Sequence, residues 1–537
     1  MNQEKRKFLD IVNKPTLFPA AVLLTILVFI GLVAPDAFKA GCDFLLGWTL
    51  KYFGWLYAAG STALLVFCIW AGFSKYGKIK LGGPNAKPEF GTFTWWAMTL
   101  IGGIAIGIVF YGVAEPMMHY ASPPPFLGAD PGSANAAADA LRLTYFHWTF
   151  HTYGIYVSTA LCTAFFFYNC KKSFKFSAPL SPILGDRVNG GWGHLVDGLG
   201  IFAIVGGVGT SMGFGVLQFG GGLQFIYGIK PTTLVWFLTV AVLLLCYMAS
   251  SYSGIHRGIK MLSRVNIFFY FFLMLFVLCL GPFVSILDNT VTSIGRYFST
   301  IVEMSFNIDP MGKSGWPQGW SIFYWAWWLA YAPMVGLFLA RIAYGRTIRA
   351  FVICNLIAPS TFGLIWFGIF GGAAIHFEHF EGANIGALIS ELGIEVALFA
   401  LFQQYPLQSL TMFLGLLVIC ISFITMADSM TTMLGKVTCK DLGDDARFGE
   451  PPVRLKFFWG ILMGLLAFVL LVTGGIAALQ TSVIVCGLPI LIVQLFMVVN
   501  YGKAMGNLKK YDVVSSAELL DYLTYSPANA GRTSEEK

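Results

Sequence analysis

Long apolar runs alternate with short polar segments along nearly the whole chain. Each run approaches the roughly 20 residues that an α-helix needs to cross the hydrocarbon core of a bilayer. Twelve runs occur, near residues 16–34, 55–73, 93–113, 143–169, 194–225, 233–250, 265–286, 319–342, 347–375, 409–434, 457–475 and 480–500. The pattern predicts an all-α membrane protein with twelve transmembrane helices.

Charges between the runs predict how these helices are oriented. Basic residues follow every even-numbered run, for example Lys75 and Lys78 after the second and Arg341 and Arg346 after the eighth. The odd-side segment 376–408 contains glutamates but neither Lys nor Arg. Cytoplasmic loops carry an excess of Lys and Arg. We therefore expect a multi-pass protein of a prokaryotic plasma (inner) membrane with both termini in the cytoplasm.

Three segments lie outside the predicted spans. Residues 1–15 and 501–537 form an N-terminal segment and a short cytoplasmic tail. Residues 287–318 contain a stretch, 290–306, that mixes apolar and charged side chains. This mixture is typical of a helix that lies in the membrane interface. We expect that helix on the outer side.

Composition narrows the classes of function. Of the 537 residues, 57% are hydrophobic and 11% are charged, against roughly 25% charged residues in soluble domains. The net charge of +7 is spread over short loops, so nucleic acid is not an expected partner. No Walker A, Rossmann, Cys-x-x-Cys or haem-attachment motif occurs. We expect neither an enzyme nor a cofactor, and only an ion or substrate gradient remains as an energy source.

The eighth run contains the sequence FYWAWWLAY, residues 323–331. Tyr324, Trp328 and Tyr331 share one helix face, because residues three and four apart are neighbours. Trp325 and Trp327 flank that face. Belt aromatics sit at the ends of spans, whereas these lie well inside one. Aromatic faces attract quaternary ammonium groups, so this run is the best candidate for a cation-binding wall, with aromatic packing as the alternative.

The fourth run carries further aromatics in the sequence YFHWTFHTYGIY. Trp148, Tyr153 and Tyr156 are spaced so that they either line one cavity wall or pack together. His147 and His151 are one helical turn apart, a spacing that suits a metal ion. Without carboxylate or Cys partners in the pattern, we interpret the pair as structural.

Two other features carry candidate chemistry. Gly103, Ala105 and Gly107 belong to a glycine-rich stretch of the third run. Such a stretch suits close helix packing or a helix that is broken at the membrane midplane to expose backbone groups to a substrate. Asp428 is an ionisable residue within the tenth run, which makes it a functional candidate. A local polar network around Ser429 is the alternative.

At these residues the chain resembles the betaine/choline/carnitine transporter family. The most specific block is GWSIFYWAWWLAYAPMVGLFLARIAYGRTIR, residues 319–349. Supporting blocks are IGIVFYGVAEP, FHWTFHTYGIY, GTSMGFGVLQFGGGL and TMADS. The resemblance extends from about residue 15 to residue 505.

The resemblance implies the LeuT-like fold of two inverted five-helix repeats, here residues 93–286 and 319–500, preceded by two extra helices in 16–92. It also implies a homotrimer. The family's aromatic box corresponds to Trp148, Tyr153, Tyr156 and Trp328, and its substrate path to Trp325, Trp327 and Tyr331. Tyr153 stands where the family usually has Trp, which alters the box.

The resemblance also identifies candidate coupling positions. Sodium-coupled members share a Gly-Met-Gly-x-Gly core, where this chain has Ile104 and Ala105 after Gly103. They also have a Thr-Ser pair where this chain has Thr425 and Met426. Ile204 and Val208 stand where sodium-coupled members have hydroxyl residues. The carnitine/butyrobetaine antiporter branch has an Arg and a Met at two further positions, and this chain has Asn266 and Val335 there. Arg264 and Met334 lie nearby but out of register.

These features together predict a secondary active transporter of betaine, carnitine, butyrobetaine or choline that works by alternating access. Missing oxygen ligands favour sodium independence or exchange over sodium-coupled symport. The short tail favours nutrient uptake or exchange over osmotic control. An amino-acid or zwitterion transporter on the same fold is the second hypothesis. A membrane-embedded enzyme or redox protein is the third, and it would need more His or Cys ligands than the runs provide.

Overall fold

The computed structural model describes residues 8–103, 106–252, 258–440 and 450–524. Within these ranges there are two isolated β-bridges, one between Val12 and Cys439 and one between Lys80 and Thr347. The principal helices are α1 (Lys14–Val33), α2 (Pro35–Phe73), α3 (Thr92–Gly103), α4 (Ile106–Ala121), α5 (Ala134–Trp148), α6 (Phe150–Tyr168), α7 (Gly191–Tyr227), α8 (Thr233–Tyr252), α9 (Gly258–Leu280), α10 (Phe283–Phe306), α11 (Gln318–Arg341), α12 (Ile348–Glu381), α13 (Gln408–Thr438) and α14 (Val453–Gly506). Shorter helices cover Ile385–Leu392, Ala397–Phe402 and Ala517–Thr524.

The predicted all-helical membrane architecture is confirmed at this level. Within the described ranges, eight helices are long and apolar enough to cross a bilayer. These are α1, α2, α7, α8, α11, α12, α13 and α14. The helix α14 covers both of the last two predicted spans, and a non-helical Gly475 with φ 56° divides it. The count of twelve spans stays a prediction.

The third and fourth predicted spans are each covered by two of these helices. The third becomes α3 and α4, separated by residues 104 and 105, which lie outside the described ranges. The fourth becomes α5 and α6 with a break at Thr149, whose φ and ψ are −122° and −117°. Its Oγ1 donates to the carbonyl of Tyr145 at 2.6 Å, and Thr152 Oγ1 donates to that of His147 at 2.6 Å. Hydroxyl groups thus satisfy carbonyls near the break.

The seventh predicted span ends earlier than expected. Its helix, α9, stops at Leu280, and Pro282 precedes α10. The axes of α9 and α10 differ by 109°. The helix predicted over 290–306 is therefore confirmed as a helix but begins at Phe283. Its position relative to the membrane stays a prediction.

Helix α11, which carries the aromatic run, lies at the centre of the protein. It packs against α6, α7 and α14. Small residues allow these helices to approach closely: a Cβ on Gly487 of α14 would come within 2.7 Å of the Ala326 carbonyl oxygen. By contrast, α8 presents exposed Leu234 and Leu245 on its surface, as expected of a helix that faces lipid. The candidate residues are thus held in the most enclosed part of the structure.

Candidate functional site

Aromatic residues of α6 and α11 line a cavity of about 300 Å³. Trp148, at the end of α5, and Tyr153 and Tyr156 of α6 form one side. The sequence-predicted residues that reach it from α11 are Trp327, Trp328, Tyr331 and Met334. The two aromatic sets, about 170 residues apart in the sequence, therefore belong to one site.

Four of these rings form a box with nearly perpendicular walls. The rings of Trp148 and Trp328 have centroids 4.9 Å apart and an interplanar angle of 68°. Tyr156 meets Trp328 at 6.3 Å and 79°, and Tyr153 meets Tyr156 at 6.2 Å and 72°. All four rings line the same cavity, and the face of an aromatic ring carries the π-electron density that attracts a cation.

Hydrogen bonds fix the orientation of the box residues. Trp328 Nε1 donates to the carbonyl of His147 at 3.0 Å. Trp148 Nε1 donates to Glu115 Oε2 at 2.6 Å. Tyr331 donates from its hydroxyl to Ser211 Oγ at 2.5 Å. Because these polar atoms already have protein partners, the rings are held in position before any ligand binds.

Gly107 is where the backbone of α4 comes closest to the box. A Cβ at this position would lie 2.9 Å from Trp327 and 3.0 Å from Trp148. Only glycine leaves room for both indoles at this distance. Gly107 lines the cavity near the start of α4, and Gly103 is the last residue of α3. The other two positions of the predicted broken helix, Ile104 and Ala105, lie outside the described residues.

Trp325 does not line the cavity, although the sequence assigned it to the substrate path. Its ring stacks on His151 at a centroid distance of 5.0 Å and an angle of 25°. It also meets Phe146 edge-on at 5.1 Å. Trp325 lies about 60° around α11 from Trp328, on the side opposite to the cavity-lining Trp327, Tyr331 and Met334. This indole packs between helices.

The two histidines of the fourth span have different partners and do not form a metal pair. His151 Nε2 is 2.9 Å from Ser305 Oγ of α10. His147 Nδ1 is 2.6 Å from Glu115 Oε1 of α4, and its Nε2 is 2.9 Å from Ser321 Oγ of α11. The break at Thr149 changes the helical register between them. The structural interpretation of this pair is the one that the contacts support.

Glu115 is the most consequential residue that sequence reasoning undervalued. Its side chain is fully buried. It accepts hydrogen bonds from Trp148 Nε1 and from the hydroxyl of Tyr324. His147 and His119 also contact it, at 2.6 Å and 3.4 Å. A carboxylate two residues past the end of the predicted run 93–113, with a His one turn later, was the signal available in the sequence.

Most candidate coupling residues lie along the same cavity. Asn266, Met334, Thr425 and Met426 line it, and Asn266 Nδ2 donates to Ser422 Oγ at 3.1 Å. Thr425 Oγ1 donates to backbone carbonyls within α13 at 2.9 Å and 3.1 Å. Arg264 is exposed and does not line the cavity. Ile204 and Val208 of α7 are buried apolar residues that also do not line it. Ile104 lies outside the described residues.

Asp428 belongs to a polar network at one end of the cavity. Lys456 Nζ lies 2.5 Å from Asp428 Oδ1, and Ser251 Oγ donates to the same oxygen. Both charged side chains are buried. Removal of one partner of a buried ion pair leaves an uncompensated charge. The contacts therefore fit the local network that was the alternative interpretation of Asp428.

The amino-acid sequence that builds this cavity matches one family of known proteins. A model of the BCCT family, the betaine/carnitine/choline family transporters, matches residues 15–510. The chain belongs to this family. Its resemblance in the aromatic blocks is thereby confirmed, and the protein is a multi-pass membrane transporter rather than an enzyme.

Individual family members are similar over most of their length. The glycine betaine transporter OpuD of Bacillus subtilis is 39% identical over 495 residues, which cover 91% of this chain and 94% of that protein. The ectoine/hydroxyectoine transporter of Virgibacillus pantothenticus is 35% identical, covering 93% of this chain and 97% of that protein. A glycine betaine transporter of Acinetobacter baylyi is 33% identical over 91% of this chain and 73% of that protein.

Proposed function

We propose that this protein is a secondary active transporter of quaternary ammonium compounds in the plasma membrane of a bacterium. The observation that carries the proposal is the box formed by Trp148, Tyr153, Tyr156 and Trp328 inside the cavity. A trimethylammonium group has no N–H to donate, so aromatic faces are its natural partners. Each such contact contributes about 0.5–2 kcal/mol. Relatives named as glycine betaine transporters support the same substrate class.

The other end of a betaine-type substrate carries a carboxylate, and the glycine-rich stretch of the third predicted span suits it. Gly107 lines the cavity. A helix broken within this stretch would present unpaired N–H groups to the carboxylate. The ammonium group would rest in the box while the carboxylate faces the backbone of 103–107. The substrate's two charged ends would thus be recognised by different chemistry.

The cavity extends in one direction from the box. It passes Asn266 and Met334 and reaches Arg341 at the end of α11 and Glu450 beyond α13. Arg341 is one of the basic residues whose distribution assigns this end of α11 to the cytoplasm. We therefore interpret this conformation as one in which the site communicates with the cytoplasmic side. Alternating access requires a second conformation in which that path closes and the opposite side opens.

The larger arrangement belongs to the same proposal. Twelve spans would form two inverted five-helix repeats, 93–286 and 319–500, after two additional helices. The first helix of the first repeat, which α3 and α4 cover, would be broken where a substrate meets free backbone groups. Both termini would be cytoplasmic, and three copies would form a homotrimer.

We expect transport to persist without sodium. Sodium requires oxygen ligands, yet Ile204, Val208 and Met426 supply none from their side chains. The experiment is counterflow in proteoliposomes with a panel of betaine, carnitine, butyrobetaine and choline, in sodium or potassium buffer. Comparable rates in both buffers are expected, with at least one compound exchanged. Strict sodium dependence would instead indicate sodium-coupled symport, and no exchange of any compound would overturn the substrate class.

Replacement of Tyr153 by Trp should change the preference among these substrates. Tyr153 lines the cavity and meets Tyr156 edge-on. A Trp there adds ring area and removes a hydroxyl group, so we expect a relative shift of about threefold or more between betaine and carnitine. Tyr153→Phe is the matched control, because it removes only the hydroxyl. An unchanged substrate profile in Tyr153→Trp would assign this position to packing alone.

A further inference from the structure

Three potential metal ligands meet beside the aromatic box. Among the described residues, Glu115 and His119 of α4 and His147 of α5 place one ligand atom each within 4.8 Å of one another. All three side chains are buried. Glu115 Oε1 is 3.4 Å from His119 Nε2 and 2.6 Å from His147 Nδ1. Two ligand atoms bound to a tetrahedral zinc ion lie roughly 3.3–3.5 Å apart, so small side-chain shifts would suffice.

We propose that Glu115, His119 and His147 form a binding site for a transition-metal dication such as Zn²⁺. Two imidazole nitrogens and one carboxylate oxygen, with a fourth position open to water, form a ligand set that zinc uses in proteins. Sodium, magnesium and calcium prefer oxygen ligands. The donor set therefore discriminates against the abundant hard cations.

The surrounding contacts match the outer shell of a metal site. His147 Nε2 lies 2.9 Å from Ser321 Oγ. If Nε2 carries the proton, Nδ1 turns a lone pair toward Glu115 Oε1 at 2.6 Å. Two acceptors at this distance require a proton or a cation between them. The second carboxylate oxygen of Glu115 accepts from Trp148 and Tyr324, as outer-shell partners commonly orient a ligating carboxylate.

The position of the cluster indicates what a bound metal would do. Trp320 and Trp316, both partly buried, pack on the His119 ring at 4.3 Å and 5.3 Å and separate the cluster from the surface. Glu115 also links α4 to Tyr324 of α11. A metal ion at this point would join α4 to α5 on the side of the box opposite the cytoplasmic path. It would hold that side closed and inhibit transport.

The test is titration of the purified full-length protein with ZnCl₂ by calorimetry. We expect about one saturable site per chain, no comparable binding of MgCl₂, and at least tenfold weaker zinc binding by His119→Ala. His376→Ala is the matched control, because His376 and Glu381, 3.5 Å apart, form another His–carboxylate pair. Equal zinc affinity in wild type and His119→Ala, or loss of binding only in His376→Ala, would overturn the proposal. If His119→Ala does not fold, His119→Gln, which retains a polar side chain, decides between the same outcomes.

Inhibition is measured separately and rests on the proposed function. External ZnCl₂ should lower counterflow at least fivefold in wild type and leave His119→Ala counterflow nearly unchanged. If zinc binds with the expected stoichiometry but does not inhibit counterflow, the metal site stands and the proposed closure of the outer side is wrong. Because calorimetry needs no substrate, failure of the metal site is distinguishable from failure of the transport proposal.

Discussion

Replacement of Trp328 by Ala should weaken the apparent affinity for a trimethylammonium substrate at least tenfold. Its indole forms one wall of the box, 4.9 Å from Trp148 and 6.3 Å from Tyr156. A desolvated cation–π contact contributes about 2 kcal/mol, and about 1.4 kcal/mol corresponds to a factor of ten. The substitution also removes the hydrogen bond from Nε1 to the His147 carbonyl. Glycine betaine binding to the purified protein, followed by tryptophan fluorescence, measures the change.

Two other variants make this result specific. Trp328→Phe keeps an aromatic face and should lose less affinity than Trp328→Ala. Trp192→Ala removes a Trp that is 58% exposed at the start of α7, far from the cavity-lining set, and should bind like wild type. Wild-type affinity in Trp328→Ala, with the protein folded, would show that the box does not bind the cationic group.

Replacement of Glu115 by Ala should both destabilise the protein and weaken substrate binding at least tenfold. The change removes the acceptor for Trp148 Nε1 and the Tyr324 hydroxyl, and it removes the carboxylate contact of His147. Each buried donor left without a partner costs about 1–3 kcal/mol. The Trp148 indole also loses the contact that orients it within the box. Thermal unfolding in detergent and glycine betaine binding are the two measurements.

The comparison with milder substitutions separates orientation from charge. Glu115→Gln keeps the size of the side chain and one carbonyl acceptor, so we expect effects between those of wild type and Glu115→Ala. Glu391→Ala, at an exposed glutamate of the helix Ile385–Leu392, should change neither measurement. A Glu115→Ala protein with wild-type stability and affinity would contradict the role that we give this carboxylate.

The aromatic box illustrates how much of the site was predictable from sequence. The depth of the eighth-run aromatics within an apolar run, where belt aromatics are not expected, predicted a cation-binding wall, and the family resemblance assigned Trp148, Tyr153, Tyr156 and Trp328 to the box. The structure brings all four to one cavity. Trp325 met the same criterion yet packs on His151. The position of an aromatic residue deep within an apolar run identifies it as unusual. Only the rotation of α11 within the bundle decides which side of the helix faces the cavity.

Glu115 shows the opposite case, since its role depends on residues far away in the sequence. The sequence suggested a carboxylate near the end of a span. Its partners come from three separate helices: His147 and Trp148 from α5, Tyr324 from α11, and His119 from its own α4. Periodicity within one run carries no information about which runs become neighbours. The buried network was therefore not predictable from the pattern.

The sequence by itself determined that this chain is a helical membrane protein with an aromatic cation-binding candidate, because apolar length and residue type are local properties. It also predicted both bounds of α1, α7, α8, α11 and α13 to within a few residues, whereas α2 begins well before its predicted span. Tertiary structure alone decided the break at Thr149, the separation of His147 from His151, and the close approach of Gly107 to two indoles. These features depend on contacts between helices, where hydrogen bonds and sterics join residues that no local pattern connects.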